Sequence, residues 1–141
     1  MAEIIFLKFA IERRAPDAEA TGDLDAALKK HFGHNSFRPM QQQIITDLLE
    51  RRDVFVLMAT GGGKSLCYQL PAVLMPGTAV VISPLIALMQ DQVKALEAGG
   101  IATGLFNSTV SAQQIADRER RARNGEFKLI YMSPERLSSP A

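Results

Sequence analysis

From Asp23 onward, apolar residues recur at helical spacing. Leu24, Leu28 and Phe32 fall on one helical face, with Asp23 placed to cap the start and Gly33 to stop the end. A second helix is expected from about Pro39, whose fixed φ suits a first turn, to about Arg52. Ile44, Ile45, Leu48 and Leu49 give it one apolar face. The period then changes. Val54-Phe-Val-Leu-Met58 is an unbroken apolar run, followed by a glycine loop and a helix from Lys64 to about Leu74. Ala79-Val-Val-Ile82 is the next strand, leading to a helix that carries Leu85, Leu88, Met89, Val93 and Leu96 and stops at Gly99-Gly100. Ile101 to Phe106 reads as a weaker third strand. Ser111-Ala-Gln-Gln114 is a capping box opening a helix that ends near Asn124-Gly125, and Phe127-Lys-Leu-Ile-Tyr-Met132 is the fourth strand.

Strand runs without polar alternation imply a sheet covered on both faces, and crossover helices between them imply parallel pairing. The expected fold is therefore α/β, a doubly wound parallel sheet of about four strands, incomplete at the end of the chain. Such sheets bind ligands at the carboxyl ends of their strands. The loops after Met58, Ile82, Phe106 and Met132 would then share one functional edge.

Ahead of this body, residues 1–22 read as an N-terminal extension and linker, with 23–141 as the domain proper. The run Glu3 to Ile11 is broken by Lys8 and is far shorter than the roughly 20 residues a bilayer span needs. It starts on an acid and has no small-residue cleavage site, which argues against a secretory signal. A short strand or an amphipathic turn packing on the body is the plainer reading, a membrane or partner anchor the other. Residues 12–22 are polar, carry Pro16 and Gly22, and read as a linker.

Charge narrows the picture only slightly. The net charge of +1 gives no global field toward nucleic acid or an acidic membrane, so any DNA contact must rest on local donors and a few placed cations. The single cysteine, Cys67, cannot form an internal disulfide or by itself a metal site, as suits a reducing compartment, and reads as a small packing residue. Asp117 to Asn124 is a mixed-charge helix face and reads as solvated surface.

The sharpest chemistry lies in Met58-Ala-Thr-Gly-Gly-Gly-Lys-Ser65, where a strand hands over to a helix. Glycines let successive backbone N–H groups turn inward around a polyphosphate, and the positive end of the following helix faces the same anion. Gly61, Gly62 and Gly63 would let the backbone wrap the phosphates, Lys64 would reach the outer ones, and the Ser65 hydroxyl would help hold Mg²⁺. Lys64 and Ser65 are the catalytic candidates. Met58 stands where the general pattern has glycine, a loss that Gly61 to Gly63 offset. A glycine-rich turn with an incidental Gly-Lys-Ser is the bland alternative, and the strand–loop–helix context weighs against it.

Upstream lies Phe37-Arg-Pro-Met-Gln41. A glutamine amide offers one donor and one acceptor to the N6/N7 edge of adenine, so Gln41 opening a helix beside the loop is a candidate adenine reader. By itself an exposed helical glutamine is ordinarily solvated. Downstream, Ser83-Pro84 and Ser133-Pro134 each place a hydroxyl and a proline just past a strand, at the start of a helix whose N–H groups could hold a DNA phosphate. In isolation each is more often a plain helix start.

Taken together, these segments resemble the RecQ family of superfamily 2 helicases, in order from Leu28 to Leu137. Phe37-Arg-Pro-Met-Gln41 resembles the family's adenine motif, and Thr60-Gly-Gly-Gly-Lys-Ser-Leu-Cys-Tyr-Gln-Leu-Pro71 its ATP loop and helix. Ser83-Pro-Leu-Ile-Ala-Leu-Met-Gln-Asp-Gln92, Asn107-Ser-Thr109 and Ser133-Pro-Glu-Arg-Leu137 resemble the motifs lining the DNA path. Ala59 stands where the family usually has proline. The resemblance implies a RecA-like P-loop NTPase domain that hydrolyses ATP with Mg²⁺ and unwinds DNA, moving three-prime to five-prime. It implies adenine contacts from Arg38 and Gln41, and it adds Thr60 to the phosphate contacts. It also implies DNA contacts, at a single strand and duplex junction, from Ser83, Pro84, Leu85, Asn107, Ser108, Thr109, Glu135 and Arg136. The implied setting is cytoplasmic, at the nucleoid in a bacterium and nuclear in a eukaryote, in recombination and repair.

The family's Asp-Glu-x-His string does not occur in the sequence. Neither does a second RecA-like lobe, and the chain reads as a truncated piece, expected to hydrolyse ATP negligibly alone. An RNA helicase of the same superfamily and a non-catalytic nucleotide-binding module remain the alternatives at this level.

Overall fold

The computed structural model describes residues 2–7, 23–59 and 63–138, the first of these as backbone. The expected linker at 12–22 and Thr60, Gly61 and Gly62 of the glycine loop lie outside the described residues. Two compact units divide the chain, Met1–Pro76 and Gly77–Ala141.

In the first unit, helix α1 (Leu24–Phe32) starts where the Asp23 carboxylate accepts the Ala26 N–H at 3.2 Å and stops at Gly33, left-handed at φ 73°. Both ends match the sequence reading, because both are set by local chemistry. Helix α2 (Gln41–Leu49) starts later than expected. Met40 is left-handed at φ 70°, so Pro39 stands outside the helix rather than in its first turn. The cause is a closed turn. The Gln41 N–H donates to the Arg38 carbonyl at 3.2 Å, and the Gln41 side-chain oxygen accepts the Arg38 N–H at 2.7 Å.

Helix α3 (Lys64–Leu74) packs against α2, and α2 is apolar on two sides. Ile45 and Leu49 meet Leu28 of α1 and Leu66 and Leu70 of α3. Ile44 and Leu48 meet Cys67 and the inward residues Val56 and Met58 of strand β2 (Val54–Ala59). Phe55 and Leu57 of β2 are 63% and 58% exposed. The run expected to be covered on both faces is thus covered on one among the described residues. Strand β1 (Ala2–Leu7) pairs with β2 antiparallel, from Ala2 opposite Ala59 to Leu7 opposite Val54. Of the readings open for the N-terminal run, the short strand is the one that forms.

The second unit holds the parallel sheet. Strands β3 (Ala79–Ile82), β4 (Thr103–Phe106) and β5 (Leu129–Met132) lie in the order β3-β5-β4, with Leu129 and Tyr131 of the central strand fully buried. Helix α4 (Ile86–Ala98) joins β3 to β4, and helix α5 (Ala112–Arg123) joins β4 to β5. Parallel pairing is realised by these three strands, while β2 has β1 as its described neighbour. α4 turns Met89, Val93 and Leu96 inward, as the pattern suggested. Leu85 precedes the helix and is 51% exposed, and Leu88 is 41% exposed, so these two do not belong to the buried face. α5 opens with the full capping box of Ser111 and Gln114 and buries Ile115 against Phe106, Phe127 and Ile130. Ala102, just ahead of β4, and Phe106 at its end turn their carbonyls toward the β5 side, where Lys128 and Ser133 donate. Leu105 therefore points its carbonyl to the outer edge, and the Arg118 guanidinium of α5 donates to it there.

Candidate nucleotide and DNA sites

The start of α3 is where the phosphate motif meets the described structure. Gly63 is left-handed at φ 78°, and Lys64 and Ser65 form the first turn, half-buried. No side chain caps this helix among the described residues, and its first turn carries no acid. With no carboxylate in that turn, the positive end of the helix is electrostatically suited to an anion. Gly63 is required twice over. Its backbone sits where L side chains are strained, and a Cβ there would lie 2.4 Å from the Gln41 amide nitrogen.

That amide is buried, Gln41 being 3% exposed, and its nitrogen donates to the Gly63 carbonyl at 2.8 Å. The Cys67 sulfur lies 3.8 Å from the same carbonyl, one helical turn on. Burial pushes the Cys67 thiol up to about 11, so it is a neutral packing group and weak donor rather than a nucleophile. Gln41 is accordingly not a solvated helical residue. Its oxygen engages the Arg38 backbone and its nitrogen the Gly63 carbonyl, so one side chain ties the turn before α2 to the start of α3.

Beside this bridge lies a recess of about 680 Å³ lined by Phe37, Arg38, Pro39, Met40, Gln42, Gln43 and Thr46. Arg38 is exposed on its wall, while Gln41 turns inward toward Gly63.

The DNA candidates all belong to the second unit, at the carboxyl ends of its strands. Ile82, Met132 and Phe106 stand in register across the sheet, so Ser83, Ser133 and Asn107 follow side by side. The Ser83 N–H donates to the Met132 carbonyl and the Ser133 N–H to the Phe106 carbonyl, each at 3.1 Å. The Ser83 hydroxyl accepts the Leu85 N–H at 3.1 Å, leaving Pro84 and Leu85 exposed at the rim.

Asn107 is 2% exposed, so it sits beneath the surface that Ser108 and Thr109 present. Its side-chain oxygen accepts both the Thr109 N–H at 3.0 Å and the Thr109 hydroxyl at 2.6 Å. Ser133 is likewise buried, and the helix start expected after it forms as a single 3-10 turn, Pro134–Leu137. Glu135 is fully exposed and its carboxyl is held below the usual range, first by a backbone N–H and then by the Ser133 hydroxyl. A carboxylate kept charged there opposes a phosphate and can only accept from a base or sugar donor. Arg136 lies 3.9 Å from Glu119 of α5. The sequence reading did not single out Gln90, which donates to the Thr109 hydroxyl at 3.2 Å. Its place one turn into the helix after Ser83-Pro84 was the available signal.

With this geometry in hand, similarity to known proteins can be placed. Residues 38–141 match the DEAD/DEAH box helicase family, and the chain belongs to that family. Within it, the similarity is to RecQ-type helicases. The chain is 49% identical over 113 residues to ATP-dependent DNA helicase RecQ of Bacillus subtilis (strain 168), covering 79% of this chain and 19% of that protein. It is 46% identical over 112 residues to the RecQ helicase of Haemophilus influenzae, covering 79% and 18%. It is 40% identical over 120 residues to ATP-dependent DNA helicase Q1 of Rattus norvegicus, covering 84% and 19%. The chain spans about one fifth of the length of these curated relatives. Among the described residues, no helix is long and apolar enough to cross a membrane.

Proposed function

We propose that this chain supplies the ATP-binding part of an ATP-dependent DNA helicase that moves three-prime to five-prime along one strand and acts in unwinding, recombination and repair, in the compartment that holds the DNA. Domain 23–141 carries the nucleotide, with residues 1–22 as an extension. Thr60 to Lys64 wrap the phosphates, Ser65 offers one oxygen to Mg²⁺, and Arg38 and Gln41 serve the adenine end. Ser83, Pro84, Leu85, Ser108, Thr109 and Arg136 border the DNA, with Asn107 beneath them and Glu135 beside them.

The observation that carries this reading is the 2.8 Å bond from Gln41 to Gly63, which brings the adenine motif against the phosphate motif. The residues present fit a Mg²⁺-bound triphosphate. Among the described residues the opening turn of α3 has no side-chain cap and no acid, and Gly63 lets its backbone pack close against the Gln41 amide. When bound, the nucleotide and its Mg²⁺ supply the phosphoryl group and the charge that neutralises it in transfer. The protein's contribution here is positional. Backbone N–H groups and Lys64 orient the phosphates, and one serine hydroxyl suits a cation otherwise held by phosphate oxygens and water.

Lacking Asp-Glu-x-His, the purified chain is expected to bind ATP and hydrolyse it negligibly. Calorimetric titration with a nonhydrolysable ATP analogue, for the parent and Lys64→Ala, tests the reading. Loss of a charge-assisted phosphate contact should weaken binding about tenfold or more. Equal affinities would reject the loop assignment, and brisk DNA-stimulated turnover would reject the expectation of inactivity.

A further inference from the structure

We infer that Gln90 is a positioning residue that braces the turn after β4 to α4, so that the segments following β3 and β4 meet a DNA strand as one surface; this rests on the DNA reading proposed above. The direction of each hydrogen bond follows from chemistry. The Thr109 backbone N–H can only donate, which fixes the Asn107 side-chain oxygen as its acceptor at 3.0 Å. The Thr109 hydroxyl spends its one proton on the same oxygen at 2.6 Å. Only its lone pairs remain, and Gln90 fills one with an amide N–H at 3.2 Å. The chain of donors thus runs one way, from Gln90 through Thr109 to Asn107.

Each end of this relay is anchored differently. Asn107 is 2% exposed and stands directly after the edge strand β4. Its amide nitrogen is buried with no hydrogen-bond partner among the described residues, so the hydrogen bonds that hold this side chain run through its oxygen. Gln90 lies next to the fully seated Met89, on the helix that begins three residues beyond Ser83. Ser108, exposed at the tip between Asn107 and Thr109, moves with the turn. Gln90 touches no DNA in this scheme. It holds Thr109, and through Thr109 the loop.

The test uses the 141-residue chain and a fluorescein-labelled oligo-dT single strand, with affinity read by anisotropy at fixed salt. The variants are Gln90→Met, which keeps length and helix propensity but removes the donor, Thr109→Val, which keeps shape but removes the hydroxyl, and the pair combined. Each single variant should weaken binding about fivefold, and the double should be no weaker than the worse single, because both remove one relay. Thermal melting should stay within about 2 °C of the parent, separating a positioning role from general loss of fold. Without DNA, hydrogen exchange at the Thr109 amide should quicken in Gln90→Met. Parent-like binding by Gln90→Met, losses that multiply in the double variant, or unchanged Thr109 exchange would each overturn the inference while the DNA reading stands. A parent chain that fails to bind oligo-dT overturns the DNA reading, and the inference with it.

Discussion

The side-chain amide of Gln41 donates to the carbonyl of Gly63 at 2.8 Å, across 22 residues of sequence. A methyl group on Gly63 would have to push that amide aside. Gly63→Ala should therefore cost roughly 2 kcal/mol or more, combining left-handed strain with a clash. Adding Gln41→Ala should return part of that loss by removing the clashing nitrogen. Urea unfolding of both variants is the check, and Gly63→Ala with parental stability would show the contact to be absent.

Gln41 should also matter to nucleotide choice. Gln41→Ala is expected to narrow the preference for ATP over GTP by loosening the turn beneath Arg38 as well as the amide itself. Competition binding with the two nucleotides reads this directly, and an untouched preference would remove Gln41 from the adenine end. The same substitution strips a partner from the Arg38 N–H and the Gly63 carbonyl, so stability should fall by about 1–3 kcal/mol.

Cys67 gives a prediction in pH. Its thiol is raised from an ordinary value of 9.0 to about 11, so the folded state holds the proton more tightly than the unfolded chain does. The resulting stability is fully present below pH 9 and is lost as pH rises from 9 toward 11. Cys67→Ala should flatten that alkaline limb of the stability curve. A thiol reagent at neutral pH should modify the folded chain slowly, and rapid labelling in native buffer would contradict the assignment.

The capping box on α5 sets a fourth expectation. Ser111→Ala should lower stability by about 1 kcal/mol, since the Ser111 hydroxyl accepts the Gln114 N–H at 3.3 Å. Ser111→Asp should restore most of it, because a carboxylate caps as well and also favours the positive helix end. Thermal melts of the two variants decide it, and equal losses in both would argue against a capping role.

What could be read from the sequence divides along the distance over which each feature is decided. The limits of α1 and the opening of α5 were legible because Asp23, Gly33, Ser111 and Gln114 act within one turn of their own chain. The left-handed Met40 was not, since Pro39 next to a periodic helix looks like a first-turn proline until Gln41 is seen bonded to both Arg38 and Gly63. The partner of β2 was equally hidden, because strand pairing with Ala2–Leu7 is a contact between distant segments. Asn107 shows the limit for side chains. A polar residue just past a strand reads the same whether it faces outward or inward, and only the Thr109 turn decides that its amide is buried. Leu85 and Leu88 fit the apolar period yet stay exposed, since periodicity gives a face but not its width.

The guanidinium of Arg118 over the Leu105 carbonyl has a consequence for how copies of this protein behave at high concentration. An outermost strand with open main-chain groups invites another molecule to zip alongside it, the first step toward insoluble assemblies. Here the strand is only four residues long, and one of its outward acceptors is already taken by a bulky cation. A backbone pairing at Leu105 would have to displace that cation first, which discourages sticking along this side of the sheet as the described residues form it.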